Sequence, residues 1–594
     1  MKNLLRFLVV FSFFSGIFSS EKLYAQREIS TGIEEIVVTA QKREENLQDV
    51  PASVSAMDAA TLEKTFARDL MDVAGVSPNL IIDPILGNGT AAISIRGVQM
   101  NDVEKSFDPA VAVYQDGIYL ATATGALLNT WDAERIEVLR GPQGTMFGRN
   151  TIGGLVHVIR SKPTGEAGVK VNITAAEDEQ KDIKTVINFP AILDGTLATK
   201  ITAMKLDGGD YFSNPTRGED EGGVDVEAYS ISGLWNPTDN LQVQLTIDRI
   251  EDNTDVRPVS CFTSPGELFG VLGQPIATEC NGGSNLGFHR TVFQETDQKA
   301  SVEIDAVTLN VEYDVNENNK LVFVYGSREM EETSLQEFDA SSIDFFRVSR
   351  PQFEEQESIE IRLETKFSWG QTTLGAYFWD SEYDAWQTTY FFGGFNDSPR
   401  TFHSTENKAF FGQIDYDITD KLTLSVGGRW IDEEKEFCQL FTSPAGDADS
   451  VFNWYGAEND PRVIDKSWGA CPSYASSTAQ NSYTDPVTGE SKVLTGIESW
   501  DDFTPKVGIT YDIDNGMVYA TYSEGFRSGG FNGRATGANS SGPYDPETVE
   551  SFEVGFKTVW LDNTFQLNGS IFTVDYTDKQ EEVVLPGTDG AVTL

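Results

Sequence analysis

The feature that most constrains the fold is an alternation of apolar and polar side chains, which recurs from about Gly168 to Tyr576. In the segment 241–248, Leu241, Val243 and Leu245 alternate with glutamine and threonine, and the segments 410–418 and 421–429 repeat the pattern. Successive side chains of a β-strand point to opposite faces, so each segment is predicted to be a strand with one apolar and one polar face. This pattern alone is compatible with a soluble sandwich and with a barrel.

The order of the connections distinguishes these two folds. Seven connections are tight and rich in turn-forming residues, at 193–196, 237–240, 316–319, 369–371, 419–420, 514–516 and 561–564. Seven longer connections alternate with them, near 176–183, 209–223, 253–300, 329–355, 384–405, 434–500 and 524–547. In an antiparallel meander this order puts all turns at one rim and all loops at the other, which is typical of outer-membrane barrels. The sequence therefore predicts a mainly β fold, a transmembrane antiparallel β-barrel of which about 15 strands are present.

The N-terminus is predicted to be a signal peptide, residues 1–25. Lys2 and Arg6 supply positive charge, the run from Leu4 to Phe18 is mostly apolar, and cleavage is expected after Ala25. The alternatives are an uncleaved anchor and a buried strand. An exported chain agrees with the barrel interpretation.

Composition excludes several classes of function. The formal net charge of −48 should repel phosphate backbones, so nucleic-acid binding is not expected. We find no nucleophile-elbow, zinc-protease or phosphate-loop motif, so an enzyme is not expected. The chain has three histidines and four cysteines, and we predict no metal site and no resident cofactor.

The cysteines lie two in each of two long connections. Local pairing predicts the disulfides Cys261–Cys280 and Cys438–Cys471, each within one external loop. The other two connectivities and four free thiols remain open.

The residues between the signal peptide and the barrel have a different character. The segment 58–74 has apolar residues at helical spacing and is predicted to be one short amphipathic helix, and short strands are predicted at 92–97, 112–117 and 135–141. A small α+β domain before a wide barrel suggests a plug in the lumen. After the signal peptide we predict three regions. They are a periplasmic segment over 26–45, a plug domain over 46–165 and an incomplete barrel over 166–594.

Four motifs give this organisation a family resemblance. The sequence EEIVVTA at 34–40 resembles a TonB box, and 135–154, RIEVLRGPQGTMFGRNTIGG, resembles the end of a plug. FRSGGFN at 526–532 and ESFEVGFK at 550–557 resemble the mid-barrel signature. The chain thus resembles the TonB-dependent outer-membrane receptors. His157 departs from the family pattern, which more often has asparagine after the Gly-Gly pair.

The resemblance implies a barrel of about 22 strands, with the plug in its lumen, that ends in an aromatic residue. Because this chain shows about 15 strands and ends at Leu594, we expect a C-terminally truncated sequence in which about seven strands are missing.

The resemblance also implies site residues. The TonB box is predicted to be flexible and to bind TonB, the protein that transmits energy from an inner-membrane complex, by adding an edge strand to it. Its residues are Glu35, Ile36, Val37, Val38, Thr39 and Ala40. The alternative is a first strand of the plug itself. The plug arginines Arg96 and Arg140 are predicted to pair with the barrel residue Glu553 and lock the plug in place.

The implied function is active transport through the outer membrane of a Gram-negative bacterium by a monomer in contact with outer-membrane lipid. A ferric siderophore is the expected ligand, so the cargo would be a small-molecule iron chelate. Cobalamin and an oligosaccharide are the alternatives, as is a non-functional barrel fragment. Haem is disfavoured because only His157, His289 and His403 are available as axial ligands. A passive porin would lack the plug, and a signalling receptor would carry an additional domain before the box.

Overall fold

The computed structural model describes residues 35–65, 67, 69–84, 91–99, 106–122, 131–209, 211–259, 290–342, 344–391, 394–397, 399–441, 493–535, 541–584 and 591–593. The predicted signal peptide lies outside these residues, as do Cys261, Cys280 and Cys471. Within the described residues, no helix is long and apolar enough to cross a membrane.

The N-terminal part contains short strands and helices. Its strands are β1 Val37–Val38, β2 Glu45–Asn46, β3 Val54–Asp58, β4 Leu80–Pro84, β5 Ala91–Ile95, β6 Val111–Gln115, β7 Ile118–Leu120, β8 Ala133–Arg140 and β9 Gly154–Arg160. Its helices are a 3-10 turn at Leu47–Asp49, α1 Ala59–Lys64, α2 Leu70–Ala74 and α3 Gly144–Phe147. Five strands form one sheet in the order β3-β8-β9-β6-β7, in which β6 and β9 are parallel.

The remainder is dominated by one antiparallel sheet. Its fifteen principal strands are β10 Gly168–Ala175, β11 Lys181–Ile192, β12 Leu197–Gly208, β15 Val224–Thr238, β16 Leu241–Asp252, β17 Lys299–Asn316, β18 Asn319–Glu337, β20 Gln352–Phe367, β21 Gly370–Trp386, β24 Pro399–Thr419, β25 Leu422–Phe441, β26 Val493–Ile513, β27 Gly516–Arg527, β28 Glu547–Trp560 and β29 Phe565–Thr577. Three short strands, β19 Phe346–Ser349, β22 Thr388–Phe391 and β23 Gly394–Asp397, extend the sheet on the side of the long connections. Outside it lie the hairpins β13 Phe212–Asn214 with β14 Glu219–Glu221, and β30 Glu582–Val584 with β31 Ala591–Thr593.

The fold class predicted from the sequence is confirmed as a small mixed domain with a large antiparallel sheet. Each of the seven predicted tight turns joins two neighbouring principal strands. The strands are longer than predicted on the side of the loops, where β18 runs to Glu337 and β25 to Phe441. These extensions carry polar side chains on both faces, so the apolar alternation that marks a strand in the sequence is absent there.

The single helix predicted over 58–74 is wrong, since two short helices occupy this segment. Asp58 caps α1 by accepting from the Thr61 N–H, and Asp69 caps α2 by accepting from the Met71 N–H. An aspartate that bonds the backbone in an extended conformation favours a new helix start over a continuous helix. Leu62 and Leu70 are nevertheless buried, as the helical spacing predicts.

The sheet has two chemically different faces. One face packs on the N-terminal domain: the Cα of Gly326 in β18 leaves room for Ile118 of β7, and α3 contacts β24 to β27. The other face exposes large apolar side chains such as Phe410, Ile414 and Trp430. An outward apolar surface on such a sheet is the surface that faces lipid in an outer-membrane barrel.

Candidate functional site

The predicted TonB box is docked in this structure. Val37 and Val38 form β1, which pairs antiparallel with β2, and the Leu47 N–H donates to the Ile36 carbonyl at 2.8 Å. The Val38 side chain is fully buried, whereas Val37 is 45% exposed. Residues 35–45 pack between the plug and the sheet, and the flexibility expected of the box stays a prediction. β1 and β2 form a two-stranded sheet of their own, apart from the five-stranded sheet of the plug, and TonB binding by residues 35–40 stays a prediction.

A chain of polar contacts fixes Thr39, the residue after β1. Its N–H donates to both carboxylate oxygens of Glu137 at 2.8 and 3.0 Å, and its hydroxyl lies 3.2 Å from Glu137 and 3.4 Å from Nδ1 of His157. Nε2 of His157 accepts from the Gly117 N–H at 3.0 Å, which assigns the ring proton to Nδ1. The imidazole therefore donates to the Thr39 hydroxyl, which donates in turn to Glu137.

Burial sets the protonation of this cluster. It lowers the pKa of His157 to about 3, and the nearby Lys42 ammonium acts in the same direction. Burial raises the pKa of Glu137, although Arg135, whose Nε donates to Glu137 at 2.9 Å, opposes this. A neutral imidazole is the form that fits here, because it can accept from Gly117 and donate to Thr39 at the same time.

The residues after the box attach the segment to the sheet. Lys42 forms a buried ion pair with Glu360 of β20 at 2.9 Å, and Arg43 pairs with Asp415 of β24 at 2.6 Å. Lys557 of β28 donates to the Leu47 carbonyl at 2.6 Å. Three strands thus hold this short segment, and breaking a buried pair by removing one partner typically costs about 3–5 kcal/mol.

A polar cavity of about 270 Å³ lies beside the docked segment. Thr39, Lys42 and His157 line it together with Arg135 and Asp116 of the plug, and side chains of the sheet complete the wall. The plug and the sheet are therefore not packed tightly at this level. Movement of the box needs the loss of these polar contacts and also the withdrawal of Val38 and Ala40 from an apolar cluster that they share with the plug and the sheet.

The two predicted lock arginines behave differently. Arg96 forms an ion pair with Glu553 of β28, and its guanidinium lies 3.8 Å from the centre of the Phe572 ring. Glu553 also accepts from the Tyr519 hydroxyl at 2.7 Å. The pairing of Arg140 with Glu553 does not occur: Arg140 donates to a plug carbonyl at 3.3 Å and forms no ion pair within the described residues. The prediction that Arg96 and Glu553 lock the plug in place stays a prediction.

A second plug–sheet network was not predicted. Arg149 of the plug pairs with Asp108 of the plug and with Glu433 of β25, both at 2.8 Å, and Lys435 of β25 pairs with Asp108 at 2.7 Å. The Ser528 hydroxyl donates to Glu433. Arg149 and Ser528 lie within two of the motifs that carry the family resemblance. This was the signal in the sequence that could have identified them as functional residues. Nothing in the sequence indicated the facing residues.

Two further observations concern a cysteine and a cluster of carboxylates. Cys438 is disulfide-bonded, but the other cysteines lie beyond the described residues, so the two pairings stay predictions. Glu295, Glu337 and Asp339 have carboxylate oxygens within 4.8 Å of one another, a cluster that the sequence did not indicate. Backbone N–H groups of Thr296 and Ser341 donate to Glu337.

These observations define a class of protein. A large antiparallel sheet with an apolar outer face, an inner domain bound by ion pairs and a docked N-terminal strand is the architecture of a plugged outer-membrane receptor. Residues 228–593 match the family model described as TonB dependent receptor-like, beta-barrel, and residues 46–155 match the TonB-dependent Receptor Plug Domain. The chain belongs to the family of TonB-dependent receptors, and it is an outer-membrane protein of a Gram-negative bacterium. The domain boundaries at residues 45 and 165 stay predictions.

Curated relatives match over part of the chain. The vitamin B12 transporter BtuB of Vibrio vulnificus is 31% identical over 165 residues, which are 27% of this chain and 26% of that protein. An iron-regulated outer membrane virulence protein of Vibrio cholerae is 28% identical over 242 residues, 39% of this chain and 35% of that protein. The chain thus matches only about a quarter to a third of these relatives.

Solved structures match the fold over most of the chain. The ferric yersiniabactin uptake receptor FyuA from Yersinia pestis has a TM-score of 0.70 at 17% identity, covering 89% of this chain and 73% of that one. The ferric-catecholate import receptor Fiu from K12 E. coli, in its closed form, has a TM-score of 0.68 at 16% identity, covering 92% and 76%. At these identities the likeness concerns the fold.

Proposed function

We propose that this protein imports a ferric siderophore across the outer membrane by TonB-dependent active transport. The observation that carries the proposal is the docking of the box: a short β-strand is held at the plug–sheet interface by hydrogen bonds and ion pairs that can be broken. A passive pore has no use for such a strand. An iron-regulated relative and the two ferric-ligand receptors among the similar folds support iron as the cargo.

The partner in this proposal is TonB with its inner-membrane energising complex. A β-strand adds to a partner sheet through its backbone groups. In the docked state β1 pairs with β2, and the Thr39 N–H is bound to Glu137. TonB therefore competes with these contacts, and a pulling force on β1 passes next to Lys42 and Arg43, whose partners lie in the sheet.

A pair of substitutions at β1 tests the transport mechanism. We expect Val38→Pro to abolish energised uptake, because proline removes a backbone N–H that strand addition needs. Val37→Thr is the matched control: it keeps a β-branched side chain at a half-exposed position, and uptake should persist. The assay is uptake of radiolabelled ferric siderophore by cells with and without TonB, with ligand binding measured separately. Uptake by Val38→Pro at the wild-type rate would refute the proposal.

Cobalamin is the second candidate cargo, because one relative is a vitamin B12 transporter at 31% identity. Binding to the purified protein separates the two, with ferric siderophores, the same siderophores without iron, and cyanocobalamin as probes. Retention of a ferric siderophore over its iron-free form supports the first proposal. Selective retention of cyanocobalamin would replace it. The same preparation, examined by light scattering in detergent, tests the proposed monomer.

A further inference from the structure

Several cations at the interface of the plug and the sheet are matched by carboxylates, as in the pairs Lys42–Glu360 and Arg43–Asp415. Three cations on the same face of the sheet form no ion pair with any residue that the structure describes. We name them the wall cations. They are Arg328 of β18, Arg429 of β25 and Lys506 of β26.

Two of the wall cations lie side by side beneath the plug. Arg429 is opposite Thr504 in register, two residues before Lys506, so the two cations are diagonal neighbours. Such neighbours have Cβ atoms about 7–8 Å apart. A Cβ at Gly148 of the plug would lie 2.6 Å from the Arg429 guanidinium, and Gly427, opposite Lys506, lies under α3. Because α3 contains no charged residue, it covers both cations without supplying a counter-ion.

Arg328 lies closer to the long connections and is also covered. It is 5% exposed, its Nη1 has no hydrogen-bond partner among the described residues, and its Nη2 lies 3.9 Å from Sδ of Met330. Gln356, which is opposite Arg328 in register, donates to the Tyr119 carbonyl of the plug at 2.6 Å. Glu354 lies diagonally across on β20 but forms no ion pair with Arg328. A buried guanidinium is thus held next to the plug with one nitrogen unpaired.

The carboxylates near the other two wall cations bind different cations. Glu360 is close enough to attract Arg429, but it already pairs with a lysine and a second arginine, both at 2.9 Å. Asp415 attracts Lys506, but it already pairs with Arg43 at 2.6 Å. The positive charge of the wall is therefore not neutralised by these groups.

The cost of this arrangement is avoidable. The chain has 92 acidic residues against 44 basic ones, so carboxylate partners are plentiful. The rings of Phe411 and Tyr377, at 5.1 and 5.3 Å, attract the Arg429 guanidinium but carry no net charge. A buried charge is unfavourable unless it is paired, and a neutral residue of similar size would avoid this penalty. Cations without carboxylates on this wall therefore point to an anionic ligand that reaches them.

The wall cations lie at different depths. Arg328 is nine residues from Asn319, the turn-side end of β18. Arg429 is seven residues from Leu422, the turn-side end of β25, and Lys506 is seven residues from that end of β26. At about 3.3 Å per residue, Arg328 is about 30 Å and the other two are about 23 Å from the tight turns along their strands. A ligand from the side of the long connections therefore reaches Arg328 before the other two.

We propose that the wall cations bind anionic groups of the cargo in succession as it passes the displaced plug, and that the transported chelate is therefore an anion. The inference rests on the proposed function, to which it adds the charge of the cargo and its contacts during passage. Because the plug covers the wall cations, we expect them to act on passage and not on the first binding of the cargo. A ferric complex of catecholates or carboxylates has this charge, whereas a ferric trihydroxamate is neutral at its metal centre.

The test compares two variants of the full chain that each lose three positive charges. They are the wall variant R328Q/R429Q/K506Q and the control variant K205Q/R249Q/K408Q, whose cations lie on the outer face with carboxylate partners. In planar bilayers, urea below the concentration that unfolds the sheet should loosen the plug and open a conductance. The reversal potential in a potassium chloride gradient then gives the chloride-to-potassium permeability ratio. This ratio should fall about threefold in the wall variant and stay at the wild-type value in the control variant.

Uptake by cells that contain TonB tests the role in transport. The probes are a radiolabelled ferric tricatecholate, which is an anion, and a ferric trihydroxamate of similar size. The maximal rate of tricatecholate uptake should fall about tenfold in the wall variant. Its equilibrium binding to the purified protein, and the uptake of the trihydroxamate, should change less than about twofold. The single variant R429K keeps the charge and should keep most of the tricatecholate uptake.

Three results would overturn the proposal. An unchanged permeability ratio in the wall variant shows that the wall cations do not face the ion pathway. An equal loss of uptake for the anionic and the neutral chelate identifies a structural role. A loss of equilibrium binding as large as the loss of uptake places these residues in the capture site. If neither chelate is taken up, the proposed function fails, while the permeability ratio still decides whether the wall attracts anions. Should the wall variant not insert, R328Q and K506Q are each measured against K408Q.

Discussion

Acid should release the docked box through His157. The imidazole is neutral in the docked state because burial lowers its pKa to about 3, against 6.5 when it is exposed. The released state therefore binds more protons, and docking is fully stable above about pH 6.5 and weakens as the pH falls from there toward 3. The loss is about 1.4 kcal/mol for each pH unit in this window. The docking equilibrium should fall by at most about tenfold between about pH 7.5 and about pH 5.5, the value reached if release exposes the imidazole fully, because β6 and β8 of the plug still flank His157 after release.

The charged groups around His157 determine how this is measured. Lys42, Arg135 and Arg362 oppose its protonation, and Asp116 favours it. Glu137 has a raised pKa when docked, so its own titration acts in the opposite sense: it weakens docking as the pH rises above 4.5. A pH profile of the wild type alone would mix these effects. The variant His157→Asn keeps all of them and removes only the imidazole.

The assay is hydrogen–deuterium exchange of the segment 35–45, corrected for the intrinsic pH dependence of amide exchange. The protection factor should fall by up to about tenfold in the wild type over this pH range, beyond any change seen in His157→Asn. His403→Asn is the control, because this second buried histidine lies on β24 and makes no contact with the box. Equal pH slopes for the wild type and His157→Asn would refute the assignment.

Three further predictions concern the contacts of the plug. Lys42→Met should leave the buried Glu360 with Arg362 as its remaining partner and weaken docking of the segment 35–45 by about 1.5–3 kcal/mol; the double variant with Glu360→Gln should recover part of the exchange protection. Arg96→Ala should raise the entry of bulky antibiotics into cells more than Arg140→Ala does, because only Arg96 is ion-paired to the sheet; equal leakage would contradict this. Gly141→Ala should destabilise the plug by about 1–3 kcal/mol, measured by urea denaturation, since Gly141 has φ +85° and a Cβ would lie 2.8 Å from the Arg96 guanidinium.

The sequence was most informative where one face of an element is apolar. The period-two alternation identified the membrane-crossing part of each strand, and turn-forming residues located all seven tight turns. Prediction of strands from the sequence failed where both faces of a strand are polar. The loop-side ends of β18 and β25 have polar residues on both faces, so they resembled loops although they continue the sheet.

Pairing across the lumen was less predictable. Arg96 and Glu553 were selected from motifs about 450 residues apart, and the structure brings them together. Arg140 was selected by the same reasoning but does not pair with Glu553, because β8 ends at Arg140 and its guanidinium reaches a plug carbonyl. A motif indicates that an arginine faces a carboxylate-rich lumen, but its partner depends on the rotation and height of the plug.

The sequence by itself determined the repeating local pattern: strands, turns, the side of the long loops and the family. Those features depend on residues close together in the chain, since alternation and turn chemistry are local properties. Only the tertiary structure decided that the box is docked, that Lys42 meets Glu360, and that Arg429 lies under the plug. These depend on strand register and on plug placement, which join residues distant in sequence, and a one-residue shift in register would place every side chain of a strand on the other face.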